Sequence, residues 1–74
     1  MSLSKVSIGE KVVLNYMHYG LNLRKKLQEM GLTPGVKFSV ISKTNSGPII
    51  IEIRGTRVAL GRGIAEKIDV EITN

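Results

Sequence analysis

The sequence predicts a mainly β fold, a small barrel of about five short strands. One short α-helix follows the first strand, and a helical turn precedes the last. Three observations carry this expectation. Apolar and polar residues alternate with a period of two in several short runs. Turn signals containing glycine separate those runs. A single segment near the front has helical spacing instead. With 74 residues the chain is expected to be one domain, residues 1–74, and its 42% apolar content is enough for a thin core.

The first strand is predicted over 10–17, where Val12, Leu14 and Tyr16 alternate with Lys11, Val13 and Asn15. A helix is predicted over 22–30. Asn22 is its expected N-cap, because its side-chain oxygen can accept from a free backbone N–H. Leu23, Leu27 and Met30 line its apolar face. Gly31 suits the left-handed residue that ends such a helix, which sets Leu32 against Leu27 in a Schellman cap. Thr33-Pro34-Gly35-Val36 reads as a type II turn, with proline second and glycine third.

The next strand is predicted over 36–43, with Val36, Phe38 and Val40 in phase, and a polar loop over 44–47 follows it. A third strand over 48–54 tolerates Pro48 at its first position. Gly55-Thr56 reads as a two-residue hairpin turn, which sets Ile53 opposite Val58 and Ile51 opposite Leu60. Residues 61–67 form a connector of about one helical turn. Ile68, Val70 and Ile72 then alternate through a final strand. A closed or nearly closed barrel would hide the strand edges. Val13, Ile41 and Ile50 break the alternation; the expectation is that the helix covers them as a second small core, the alternative being an exposed apolar patch of the kind that marks a protein interface.

Several function classes find no support. The chain has no cysteine, so it has neither a disulfide framework nor a thiolate metal site. Its first residues lack the apolar run of a secretory signal, and its longest apolar run is Ile49-Ile50-Ile51, far short of the ~20 residues of a membrane span. The reading is therefore a cytoplasmic protein with no membrane insertion. His18, the single histidine, sits in a loop beside two tyrosines, too little for a catalytic triad or a metal site. No catalytic residue, metal ligand or cofactor is expected. Asp69 and Glu71 fall on the outward phase of the last strand, where solvated charge is the ordinary state. Gly61-Arg62-Gly63 lacks both the third glycine of a dinucleotide fingerprint and the Lys-Ser/Thr of a P-loop, and turn chemistry explains it.

The formal net charge of +5 points toward an acidic partner. Arg24-Lys25-Lys26 is the densest basic cluster, and Lys43, Arg54, Arg57 and Arg62 add to a basic surface. Nucleic acid is not favoured, because stacking wants exposed aromatics and these make up only 4% of the chain. An acidic protein face fits the cluster better. Arg24, Lys25, Lys26, Met30 and Leu32 are the residues expected to meet it.

Leu27-Gln28-Glu29-Met30-Gly31-Leu32-Thr33-Pro34-Gly35 resembles the helix-to-turn signature of the FeoA family, ferrous iron transport protein A. Ile8-Gly9-Glu10 resembles the start of that family. Gly47-Pro48-Ile49, Arg54-Gly55, Ala59-Leu60, Ala65, Ile68 and Val70 follow the order and spacing of its second half. Gly61 and Gly63 depart from it, standing where better helix formers are usual, so a looser connector is expected there. The resemblance implies an SH3-like barrel related to the C-terminal domain of iron-dependent repressors. It also implies a cytosolic role in ferrous iron uptake, through the cytosolic part of the membrane GTPase-type transporter FeoB. Its link to iron is a link to transport and supplies no ligand set.

Overall fold

The computed structural model describes residues 1–15 and 20–73. A 3₁₀ turn at Leu3–Lys5 comes first. It is followed by β1 (Lys11–Leu14), α1 (Leu21–Glu29), β2 (Lys37–Ser42), β3 (Ile49–Ile53), β4 (Thr56–Leu60), α2 (Arg62–Lys67) and β5 (Val70–Ile72). The strands form one antiparallel sheet in the order β4-β3-β2-β1-β5. The mainly β, five-stranded architecture is the one expected, but the barrel does not close. Among the described residues no ladder joins β4 to β5, and the N-terminal 3₁₀ turn packs against α2. The end of the predicted first strand, Tyr16 and Met17, and the loop residues His18 and Tyr19 lie outside the described residues.

The sheet buries one face, and the alternation in the sequence is the physical cause. Val12 and Leu14 of β1, Phe38 and Val40 of β2, and Ile49, Ile51 and Ile53 of β3 all point into a single core. Leu23, Leu27 and Met30 of α1 pack on that same core. The expected second core under the helix is therefore not formed, and Val13, Ile41 and Ile50 are left half-buried outside the main cluster. Ile41 has its own reason for breaking phase. The ladder steps from Val40–Ile51 to Ser42–Ile50, so Ile41 is the extra residue of a β-bulge.

The β3–β4 hairpin corrects the predicted register. Ile53 lies opposite Thr56, Ile51 opposite Val58 and Ile49 opposite Leu60. The turn is Arg54-Gly55, with φ of 51° and 83°. Positive φ at both central positions is the type I′ geometry, whose twist matches the flanking strands. The predicted Gly55-Thr56 turn would have slipped the ladder by two residues. Such a slip keeps every side chain on its own face, so apolar pairing alone could not reject it.

The C-terminal end of α1 forms as expected. The Leu32 N–H donates to the Leu27 carbonyl at 2.8 Å, the Gly31 N–H donates to the Gln28 carbonyl at 3.0 Å, and Gly31 has φ 84°. That is a Schellman motif, with both leucines buried. The type II turn follows, closed by the Val36 N–H donating to the Thr33 carbonyl at 3.0 Å. The other end of α1 differs from expectation. Asn22 lies inside the first turn, Gly20 is the N-cap, and no side chain caps the helix. Gly61 likewise caps α2 without a side-chain bond, and α2 still runs over six residues despite Gly63.

Residues 1–6 carry no periodic signal, yet Leu3 and Val6 are fully buried. The Leu3 N–H donates to the Ile68 carbonyl at 2.9 Å. Ser2 Oγ donates to the Glu66 carbonyl at 3.1 Å and accepts from the Ser4 N–H at 3.3 Å. The Lys43 ammonium donates to the Ser4 and Val6 carbonyls, both at 2.9 Å. These bonds satisfy backbone groups that a 3₁₀ turn leaves without partners.

Candidate partner-binding surface

Helix α1 presents most of the residues expected to meet a partner. Lys25 and Lys26 are exposed and Arg24 is half-buried. None of the three forms an ion pair among the described residues. Leu21 at the first position of the helix is 64% exposed, which adds an apolar contact that the sequence had not marked. Met30, at the C-cap, is half-buried against the core with part of its side chain at the surface. Leu32 is corrected: at 2% exposure it is a core residue of the Schellman cap and cannot meet a partner without unfolding.

Two other cations leave the expected basic surface. The Lys43 ammonium is taken by the Ser4 and Val6 carbonyls. The Arg62 guanidinium donates to the Thr44 carbonyl, and its buried Nε finds no partner among the described residues. Arg54 and Arg57 stay exposed around the hairpin.

A second basic region lies on the outer face of the sheet. A cleft of about 650 Å³ is lined by Lys11, Lys37, Phe38, Ser39, Glu52, Arg54, Gly55 and Thr73. The ladders place Lys11 opposite Ser39, and Ser39 opposite Glu52. Lys37 opens β2 and Arg54 lies in the turn after β3, and both line this cleft. These residues come from β1, β2 and β3, the turn after β3 and the residue after β5, so nothing in linear spacing marks them as a group. Only the outward phase of each strand could have suggested them. Arg54 also holds a left-handed backbone that a residue other than glycine adopts at a cost of about 1 kcal/mol.

Asp69 is not the freely solvated charge expected from its phase. Its carboxylate accepts from Asn15 Nδ2 at 2.7 Å and from the N-terminal ammonium at 3.0 Å. The Asn15 hydrogen bond first, and the ammonium second, hold its pKa below the usual carboxylate value. Among the described residues, no group of three or more His, Cys, Asp or Glu side chains gathers as metal ligands. None of the described helices is long and apolar enough to cross a membrane.

The model of the FeoA domain matches residues 1–72. The chain belongs to the FeoA family. A relative from Methanocaldococcus jannaschii, an Fe(2+) transport protein A by name, is 41% identical over 63 residues, covering 85% of this chain and 76% of its own length. A crystal structure of an iron uptake regulatory protein, FeoA, superposes with a TM-score of 0.91 at 38% identity, covering 99% of this chain and 97% of that one. The manganese-activated repressor ScaR, in its apo form, superposes with a TM-score of 0.86 at 24% identity, covering 96% of this chain and 34% of the repressor. That last likeness is one of fold alone. The FeoA resemblance drawn from the helix-to-turn segment therefore holds for the whole domain, and the family is that of ferrous iron transport protein A.

Proposed function

We propose that this FeoA chain is a cytosolic accessory and regulatory protein of ferrous iron uptake. It acts by binding the cytosolic part of the membrane GTPase-type transporter FeoB rather than by catalysis. The observation that carries the reading is the state of α1. Arg24, Lys25 and Lys26 have no ion-pair partner among the described residues, and Leu21 and Met30 supply apolar area beside them. An apolar contact bordered by cations of one sign suits an acidic protein face, where the charge governs the encounter and the apolar part slows release.

The test is a binding titration of the chain against the transporter's cytosolic part. Lys25→Glu with Lys26→Glu should weaken binding about tenfold, with the loss greatest at low salt. Leu21→Asp should weaken it further while the protein stays folded, because Leu21 lies outside the core. Unchanged binding in both variants would remove α1 from the interface. No interaction at all, with iron uptake unaltered after deletion of the gene, would overturn the function.

A further inference from the structure

We propose that the cleft across the outer face of the sheet is a second binding site, one that takes an extended acidic peptide segment from a protein partner. The site is separate from α1 and goes beyond the transporter reading.

Its charges are arranged for a ligand rather than for one another. Lys11, Lys37 and Arg54 converge on the cleft with Glu52 as the sole carboxylate in its lining. No ion pair forms among these four residues. Lys37, at the first position of β2, and Arg54, in the turn after β3, line the same cleft on the outer face of the sheet. Like charges gathered on one cleft repel one another. Lys11 lies opposite Ser39, the next residue along that face from Lys37. An incoming carboxylate set between Lys37 and Arg54 would relieve the repulsion, and Lys11 would take a second.

Glu52 decides between acidic ligands. It sits in the row between Ser39 on β2 and Arg57 on β4. A polyphosphate or nucleic-acid backbone presents only acceptors and would be repelled by Glu52. A peptide carries N–H donors between its carboxylates, and Glu52, Ser39 and Thr73 can accept from them. The row Thr73, Lys11, Ser39 and Glu52 crosses four adjacent strands, which is three spacings of about 4.8 Å, or the reach of roughly four extended residues.

The experiment is a titration of the ¹⁵N-labelled chain with a six-residue peptide of alternating glutamate and glycine at low salt. A glutamine–glycine peptide, a six-nucleotide oligo-dT and inorganic triphosphate serve as comparisons. The glutamate peptide should shift the amides of Lys11, Ser39, Gly55 and Thr73, and the glutamine peptide should not. Arg54→Asn removes the charge while suiting the type I′ turn, so it should fold at least as well as the parent. Combined with Lys37→Gln it should weaken the peptide about tenfold, the size of two exposed ion pairs. Lys67→Gln removes one positive charge from α2, half of what the double variant removes, and should leave the peptide affinity as it was. Three outcomes would each overturn the proposal: equal losses from Lys67→Gln and the double variant, shifts centred on α1, or tighter binding of oligo-dT or triphosphate than of the peptide.

Discussion

The N-terminal segment and helix α1 make a useful contrast. The first is six residues long and contains a single 3₁₀ turn, yet Leu3 and Val6 are fully buried and its backbone is bonded to Ile68 and Lys43. The second is a nine-residue helix with only Leu27 buried within its bounds, and its N-terminus has no side-chain cap. Length and regularity therefore say little about what an element contributes. Stability follows buried apolar area and satisfied backbone groups, and the short segment has more of both per residue. The helix is attached through Leu27, the partly buried Leu23 and its C-terminal cap, which leaves its outer face exposed.

The contrast can be broken most directly in the core. Leu3→Ala should cost about 2–5 kcal/mol, because it empties a fully enclosed site, whereas Leu21→Ala on α1 should change stability by less than about 0.5 kcal/mol. Urea unfolding of both variants checks this, and similar losses would end the distinction. Lys43→Met comes next. It keeps the apolar stem but strands two carbonyls, so a loss of about 1.5–3 kcal/mol is expected in the same assay.

Acid behaviour sharpens the comparison at the seam between the N-terminus and β5. The pKa of Asp69 is lower in the folded chain than in the unfolded one. Its contribution is therefore present above the unfolded value, about 3.9, and is lost as pH falls through the lower folded value. Asp69→Asn should reduce stability at neutral pH and flatten the fall below pH ~4. Identical acid-unfolding curves for Asp69→Asn and the parent would show that the Asn15 contact carries no weight. The smallest effect is expected at the start of α1. Gly20→Asn should supply the missing cap and gain a few tenths of a kcal/mol, visible as a small rise in Tm. A larger gain would mean that the helix matters more to the fold than its burial implies.

The legible parts of the sequence were those governed by neighbours a few residues apart. Val12 with Leu14, Phe38 with Val40, and Ile49 with Ile51 and Ile53 show strand period directly. Leu27, Gly31 and Leu32 show a helix end. Pro34-Gly35 shows a turn, and all of these formed as expected. Among the candidate site residues, Lys25 and Lys26 reached the surface, while Leu32 did not. Its C″ position already implied a hydrophobic contact, so the cap argument was the sounder guide to it. Asn22 misled for a related reason. A good capping residue two positions inside the observed boundary cannot be told from a cap by composition, and helix boundaries are the loosest feature of any pattern.

Sequence by itself determined the class of the fold, the run of five strands, the helix-to-turn junction and the membership that this junction signals, because each depends on local backbone preference and short-period burial. Tertiary structure alone decided the rest. The hairpin register depended on positive φ at Arg54 and Gly55, which apolar matching cannot distinguish from a slip of two. The core roles of Leu3 and Val6 depended on Ile68 and Lys43, far along the chain. The cleft exists because pairing across the sheet brings Lys11 of β1, Lys37 of β2, Arg54 of the hairpin turn and Thr73 after β5 together, a grouping invisible along the chain.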